Sequence, residues 1–380
     1  MSATVFRGAA IFDGARLLEE AALVVEEGRV VALVPQAEAP PGETVLLAGG
    51  VLAPGFLDLQ VNGGGGLMLG DAASVEGIAA ICDAHARFGA TGILPTLITD
   101  TPEVTRAVVE AGIAAAEAGL PGFLGLHLEG PHLDPRRKGA HDPALIRPMT
   151  DADLALLVEA ARRLPALMVT LAPVSATPQQ IAALSGAGAV VSLGHSEEGY
   201  AASMAAFAAG ARCVTHLFNA MSPLGHREPG LVGAALDAAD AYAGLIADGI
   251  HVAPPVLRLA LAAKRQPDHV FLVSDAMAVA GTDLAAFSLK GRRILRRDGR
   301  LTLADGTLAG ADIDLPASIR FLVEQVGLAL PQALRMASAI PAACLARPDL
   351  GHLGAGAPAD LVHLGPDLGL RAVWRRGQQL

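Results

Sequence analysis

Short apolar runs and alanine-rich stretches alternate along most of the chain after residue 53. Eight of these runs have the length and composition of buried strands, and they begin at residues 56, 92, 123, 167, 189, 212, 243 and 270. The stretches between them, such as 74–90 (SVEGIAAICDAHARFGA), have the spacing of helices. Strands that alternate with helices indicate a parallel sheet, and eight strands are the number that closes a TIM-type barrel. We therefore predict an α/β fold built on a (β/α)8 barrel.

Both ends of the chain instead have the pattern of antiparallel strands. Residues 22–34 (ALVVEEGRVVALV) are β-like and turn at Gly28, and β-like runs return after about residue 345 at 360–365 (DLVHLG) and 371–377 (RAVWRRG). We predict that residues 1–53 and 346–380 together form a small β-sandwich domain. The barrel domain is then expected to span residues 54–345.

The composition narrows the choice of partners and compartment. The net charge is −10, which argues against a nucleic-acid or anionic-membrane partner and requires a local cationic pocket for any anionic ligand. The three cysteines lack CxxC spacing, so neither a disulfide framework nor a cysteine-zinc site is indicated. The first residues lack a basic start followed by a long apolar core. We expect a soluble, cytoplasmic protein.

Four of the predicted strands end on a side chain that can bind a metal or move a proton: Glu129, His195, His216 and Asp275. Each has an ordinary alternative, because the carboxylates can cap a helix and the histidines can be buried with both nitrogens hydrogen-bonded. Parallel β/α units, however, place the C-terminal ends of all strands on one face. Together the four predict a hydrolytic metal site, with Glu129, His195 and His216 as ligands and a coordination position left for water. Asp275 can take a proton from that water and return it to a leaving group.

Other polar residues fall near the same predicted face. His127 alternates with leucines on the third strand and is expected to point into the barrel beside the ligands. His141 follows that strand and can polarise a carbonyl or shape a turn, and His251 follows the seventh strand and can contact substrate or face solvent. Asn219 and Arg227 lie on the loop after the sixth strand. A guanidinium there can bind a phosphate or carboxylate through two hydrogen bonds, although an exposed arginine is more often only solvated.

Longer motifs make the chain resemble the N-acetylglucosamine-6-phosphate deacetylases of the amidohydrolase superfamily over nearly its whole length. The motifs are PGFLDLQVNG, LGLHLEGPHLDPRRKGAHDP, SLGHS, THLFNAM, REPGLVG, ADGIHV, LVSDA, GTLAG, MASAIPA and GHLGAGAPADLV.

The resemblance implies a barrel with a small β-sandwich, a divalent metal held by Glu129, His195 and His216, and Asp275 as the proton shuttle. We expect one ion per chain, with zinc preferred over iron, cobalt or manganese, and a phosphorylated amino sugar as substrate. The resemblance also implies a homodimer in which the Arg227 loop can serve the phosphate site of the neighbouring subunit. The substrate contacts it implies are Ala140, His141, Asn219, Ala220, Arg227, His251 and the loop Leu308, Ala309, Gly310 and Ala311.

The chain departs from the superfamily pattern at several positions. Gln60 and Asn62 stand where amidohydrolases commonly carry a His-x-His pair for a second metal, although some deacetylases of this family have the same pattern. Neutral amides bind zinc less well than imidazole does, so one metal is predicted. Many superfamily relatives have a bridging lysine, and here Glu129 takes that place. His132 replaces a frequent aromatic residue and Ala311 a usual serine, and both bear on substrate preference.

The expected reaction is hydrolysis of the acetamide of N-acetylglucosamine 6-phosphate to glucosamine 6-phosphate and acetate. Three alternatives stay open from the residues: the N-acetylgalactosamine 6-phosphate epimer as substrate, another amidohydrolase reaction such as that of a cyclic amidase or deaminase, and a non-catalytic relative.

Overall fold

Eight parallel strands, adjacent in space in the order in which they occur along the chain, form the central sheet of this computed structural model, which describes residues 3–380. They correspond to the eight apolar runs, so the predicted barrel is confirmed. The strands are β1 (Phe56–Val61), β2 (Ala90–Ile98), β3 (Leu126–Glu129), β4 (Leu167–Leu171), β5 (Val190–Leu193), β6 (Cys213–Val214), β7 (Tyr242–Leu245) and β8 (Val270–Leu272).

The barrel closes between its first and last strands through few backbone contacts. Val61 and Ala276 form a single parallel bridge, and the Asn62 amide donates to the Ala276 carbonyl at 2.8 Å. Below this bridge the Asp58 carboxylate accepts a hydrogen bond from the Ser274 amide at 3.1 Å. A side chain thus replaces missing ladder bonds, and burial raises the pKa of Asp58 to about 7.

Within the described part of the chain, ten α-helices cover the barrel and the ends of its strands. Side chains that favour helix starts begin several of them: Ser74, Thr101, Thr150, Thr177 and Asp314 each accept a backbone N–H of the first turn. No helix within residues 3–380 combines the length and apolar character needed to cross a membrane. The helices are Val75–Ala86, Pro102–Glu117, Asp151–Arg163, Pro178–Gly186, Tyr200–Ala208, Gly230–Asp237, Pro254–Ala263, Leu315–Phe321, Leu330–Ala337 and Ala339–Cys344, with a π-helical turn at Leu322–Val326.

Strands from both chain ends form the predicted small sandwich. One sheet contains, in spatial order, Arg29–Pro35, Ala21–Glu26, Thr4–Arg7 and Glu43–Leu46, and the other contains Gln378–Gln379, Leu370–Arg375, Leu361–Leu364, Val51–Pro54, Ala10–Phe12 and Leu17–Leu18. Phe6 of the first sheet meets Trp374 of the second edge to face, with ring centroids 5.2 Å apart. The apolar side chains between the sheets form a core separate from that of the barrel.

A four-stranded antiparallel sheet follows β8 and was not expected from the sequence. Its strands are Ala286–Leu289, Arg292–Arg297, Arg300–Thr302 and Leu308–Ala311. The arginines of RRILRR hide the alternation that marks a half-buried strand, since only Ile294 in that run is fully buried. We call residues 286–311 the cap sheet.

Candidate active site

The four strand-end residues meet at the C-terminal mouth of the barrel. Glu129 ends β3, whereas His195, His216 and Asp275 lie two or three residues beyond the ends of β5, β6 and β8. All four are buried. The latter three adopt left-handed backbone conformations, with φ of 46°, 34° and 50°. Such conformations are disfavoured for side chains with a Cβ, and they commonly occur where a residue must be aimed at a functional site.

Glu129, His195 and His216 bring three electron-donating atoms into one small triangle. Glu129 Oε1 lies 3.1 Å from His216 Nε2 and 3.3 Å from His195 Nε2, and the two Nε2 atoms are 3.1 Å apart. His195 Nδ1 lies 2.8 Å from the Arg137 carbonyl, which can only accept, so Nδ1 carries the proton and Nε2 is a bare lone pair. Ligands at about 2.0–2.1 Å from a tetrahedral zinc lie roughly 3.3–3.4 Å apart. The residues therefore fit a divalent cation.

His141 lies beside this triangle and offers it a hydrogen-bond donor, not a further lone pair for a metal. The Thr99 backbone N–H, which can only donate, lies 3.3 Å from His141 Nδ1, and the Thr99 hydroxyl lies 2.8 Å from the same atom. The neutral ring then carries its proton on Nε2, 3.9 Å from Glu129 Oε2. Burial lowers the pKa of His141 to about 3 and keeps the ring neutral. Because Glu129, His141 and His195 also place ligand atoms within 4.8 Å of one another, it is the proton on Nε2 that favours His216 as the third ligand.

Gln60 and Asn62 hold the carboxylates of the site. Asn62 Nδ2 donates to Asp275 Oδ1 at 2.7 Å, and Gln60 Nε2 donates to Asp275 Oδ1 at 3.0 Å and to Glu129 Oε1 at 3.1 Å. Both amides thus turn N–H groups toward carboxylates. Burial and the charge of Glu129 raise the pKa of Asp275 to about 6.

His127 lies in the barrel interior, two residues before Glu129. It contacts the Leu59 carbonyl through Nδ1 at 3.0 Å and the Thr170 hydroxyl through Nε2 at 2.7 Å. Burial lowers its pKa to about 4, so the ring is neutral near pH 7.

A cavity of about 430 Å³ opens above these residues. Arg227 is exposed on its loop and is not among the residues that line this cavity, and Ala309 and Ala311 are buried within the cap sheet. Of the residues predicted to touch substrate, those that line the cavity are Ala140, His141, Asn219, Ala220, His251, Leu308 and Gly310.

Known proteins resemble this chain along most of its length. The model of the amidohydrolase family matches residues 51–380. The chain belongs to the amidohydrolase family. It is 40% identical over 334 residues to the N-acetylgalactosamine-6-phosphate deacetylase of Shewanella sp. (strain ANA-3), with 88% of this chain and 84% of that protein covered. It is 37% identical over 350 residues to the N-acetylglucosamine-6-phosphate deacetylase of Haemophilus influenzae, with 90% and 91% covered.

Solved structures of this amidohydrolase group share the fold over the full chain. The N-acetylglucosamine-6-phosphate deacetylase of Pasteurella multocida matches with a TM-score of 0.95 and 33% identity, covering 100% of this chain and 99% of that one. A mutant of the Mycobacterium smegmatis enzyme in complex with N-acetyl-D-glucosamine-6-phosphate matches with a TM-score of 0.91 and 34% identity, covering 100% and 99%. The resemblance seen in the sequence motifs is thereby confirmed.

Two features of this amidohydrolase site escaped the sequence analysis. Asp248 Oδ2 lies 2.6 Å from His251 Nδ1, and Asp248 Oδ1 accepts from the backbone N–H groups of Ile250 and His251. Burial raises the pKa of Asp248, but these hydrogen bonds outweigh it and hold the pKa below its ordinary value. The three-residue spacing in ADGIHV was the available signal. The cap sheet is attached to the mouth by Lys290, whose Nζ lies 2.5 Å from Asp100 Oδ2, and by Arg292, which donates to the Ala140 carbonyl. These pairs join residues more than 150 positions apart, so no local pattern indicates them.

Proposed function

We propose that this protein hydrolyses the acetamide of N-acetyl-D-glucosamine 6-phosphate to glucosamine 6-phosphate and acetate. The observation that carries the proposal is the triangle of Glu129, His195 and His216 beside Asp275, which opens on a cavity of suitable size for a sugar phosphate. Relatives named as deacetylases of this substrate support it along almost the whole chain.

Glu129, His195 and His216 would hold one divalent ion, with zinc favoured by two imidazoles and one carboxylate. When bound, such an ion polarises the acetyl carbonyl and lowers the pKa of water. Gln60 and Asn62 favour one ion rather than two, because their N–H groups donate to the carboxylates and amide oxygens bind zinc less well than imidazole does.

Asp275 is the proposed proton shuttle. As a carboxylate it takes a proton from the attacking water, whose oxygen forms the new bond to the acetyl carbon. As a carboxylic acid it then gives the proton to the amide nitrogen as the carbon–nitrogen bond breaks. A pKa near 6 suits both roles close to neutral pH.

His141 is proposed to donate a hydrogen bond from its Nε2–H group to the acetyl oxygen as negative charge develops there. The hydrogen bonds from Thr99 place that proton on the side of the ring facing the site. A neutral donor aimed at a developing oxyanion stabilises the transition state more than the ground state.

The substrate's phosphate needs cations at the cavity rim or from another subunit. Lys138 lines the cavity, and the exposed Arg227 is available to a second copy of the chain. We propose a cytoplasmic homodimer in which Arg227 reaches the neighbouring site, with residues 54–345 as the metal-dependent hydrolase domain. The three free, buried cysteines are compatible with a reducing compartment.

The N-acetylgalactosamine epimer is a second candidate substrate, because the Shewanella relative carries that name at 40% identity. Acetate release should be measured from both N-acetylhexosamine 6-phosphates, with and without a chelator. We expect faster, chelator-sensitive release from the glucosamine epimer. Faster release from the galactosamine epimer would reassign the substrate, and no release from either would favour another amidohydrolase reaction or a non-catalytic protein.

A further inference from the structure

A chain of hydrogen bonds crosses the barrel interior below the proposed metal site. His127 Nδ1 contacts the Leu59 carbonyl at 3.0 Å and His127 Nε2 contacts Thr170 Oγ1 at 2.7 Å. Thr170 Oγ1 lies 2.5 Å from Thr215 Oγ1, which in turn lies 2.7 Å from Ser192 Oγ. We call His127, Thr170, Thr215 and Ser192 the interior chain.

The Leu59 carbonyl at one end of the interior chain determines which atom donates and which accepts in every hydrogen bond. The Leu59 carbonyl can only accept, so His127 carries its proton on Nδ1 and its bare Nε2 accepts from Thr170. Each hydroxyl has one proton, so Thr170 must accept from Thr215, and Thr215 must accept from Ser192. Successive hydroxyls therefore polarise one another in a single direction, which strengthens each bond.

The interior chain links the strands that present the proposed metal ligands. His127 lies on β3 two residues before Glu129, and Ser192 lies on β5 three residues before His195. Thr215 immediately precedes His216. Thr170 lies on β4 and connects the β3 side of the barrel to β6 across its interior. The bonds thus tie together β3, β5 and β6 at a level just beneath their ligands.

Full burial makes the interior chain costly to interrupt. Its members are at most 3% exposed, so water has little access to replace a lost partner. A buried polar atom that loses its partner gains no hydrogen bond to water in exchange. The hydrogen bonds therefore disfavour small shifts of these strands relative to one another.

Resting on the proposed metal-dependent function, we propose that Thr170, Thr215 and Ser192, with His127, are positioning residues that set the separation of Glu129, His195 and His216. Their contribution is to metal affinity and not to the chemical step itself.

The test compares Thr170→Val, which keeps the side-chain shape but removes both hydrogen bonds, with Thr170→Ser, which keeps the hydroxyl. Zinc dissociation constants are measured by chelator competition, and the thermal unfolding of each metal-free protein is recorded. We expect Thr170→Val to weaken zinc binding about 10–100-fold, as changes around metal ligands commonly do. Thr170→Ser should stay close to wild type. Thr91→Val is the matched control, because Thr91 is a buried threonine near the N-terminal end of β2.

Each outcome decides one question. Unchanged zinc affinity in Thr170→Val, with wild-type protein that binds zinc, overturns the positioning role. An equal loss in Thr91→Val also overturns it, because general destabilisation then explains the effect. If wild-type protein binds no divalent ion, the proposed function itself fails. Should Thr170→Val not fold, Ser192→Ala removes only the first donor, and the same loss of affinity without a change in fold is expected, by a smaller factor.

Discussion

At the scale of single residues, the site depends on where protons lie. The Arg137 carbonyl leaves His195 Nε2 bare, whereas the Thr99 amide leaves the proton of His141 on Nε2. Two buried histidines with ring centroids 4.4 Å apart are thereby assigned opposite roles, one as a ligand and one as a donor. Neighbouring backbone groups, not the histidines themselves, make this distinction.

Asp275→Asn should abolish most turnover while leaving zinc content and substrate affinity near wild type. An asparagine can still accept from Asn62, but it cannot take up a proton, and general acid–base groups contribute about 10²–10⁴-fold to rate. Burial and Glu129 raise the pKa of Asp275 to about 6 when no ion is bound, and a bound cation lowers it again. Because Asp275 must be ionised to act, kcat/KM should fall as the pH drops, with a midpoint below about 6. Steady-state kinetics across pH test both points, and turnover near wild type in the variant would remove Asp275 as the shuttle.

Metal analysis of the purified protein should give about one divalent ion per chain, since a catalytic zinc site takes about three protein ligands. The amide nitrogens of Gln60 and Asn62 donate to carboxylates, and the amide oxygens that remain bind zinc less well than imidazole nitrogens do. Replacing both with histidine should raise the content toward two. Two tightly held ions in the unaltered protein would contradict this account of Gln60 and Asn62.

At the scale of elements, prediction succeeded where one physical signal dominated. The barrel strands were predictable because each is a short apolar run, and four of the runs end on a residue that can bind a metal or move a proton, as at Glu129 and His195. The cap sheet was missed because its strands are half-exposed and rich in arginine. The pairs Asp100–Lys290 and Ala140–Arg292 depend on the folded chain, so only the structure could reveal them.

The attachment of the cap sheet should matter more for substrate binding than for chemistry. Lys290→Met removes the cation beside the buried Asp100 carboxylate and should raise KM several-fold with a smaller change in kcat. Breaking this pair is expected to cost about 1–3 kcal/mol locally. Hydrogen exchange in residues 286–311 should then become faster. Lys290→Arg keeps the charge and serves as the control. Exchange and KM equal to wild type in Lys290→Met would show that the ion pair does not hold the cap sheet.

At the scale of the whole molecule, the net charge and the position of Arg227 bear on how an anionic substrate binds. The chain carries a net charge of −10, yet its proposed substrate is anionic, so cations near the cavity must overcome the overall repulsion. Arg227 is exposed and is not among the residues that line the cavity of its own chain. The proposed homodimer resolves this placement if each subunit lends its arginine to the other.

Mixing two impaired variants tests that arrangement. Arg227→Ala should reduce activity on the phosphorylated substrate far more than on the unphosphorylated sugar, whereas Asp275→Asn should be inactive on both. Hybrids formed by co-expression contain one subunit with an intact Asp275 whose partner supplies an intact Arg227. Random pairing in a two-fold symmetric dimer makes half of the dimers hybrid, with one complete site each, so activity should recover to about a quarter of wild type. Recovery requires that Arg227 act across the interface, because a residue serving its own subunit leaves every hybrid site defective. Activity no higher than the mean of the two variants would therefore place the phosphate contact within a single chain, where Arg136, Arg137 and Lys138 line the cavity.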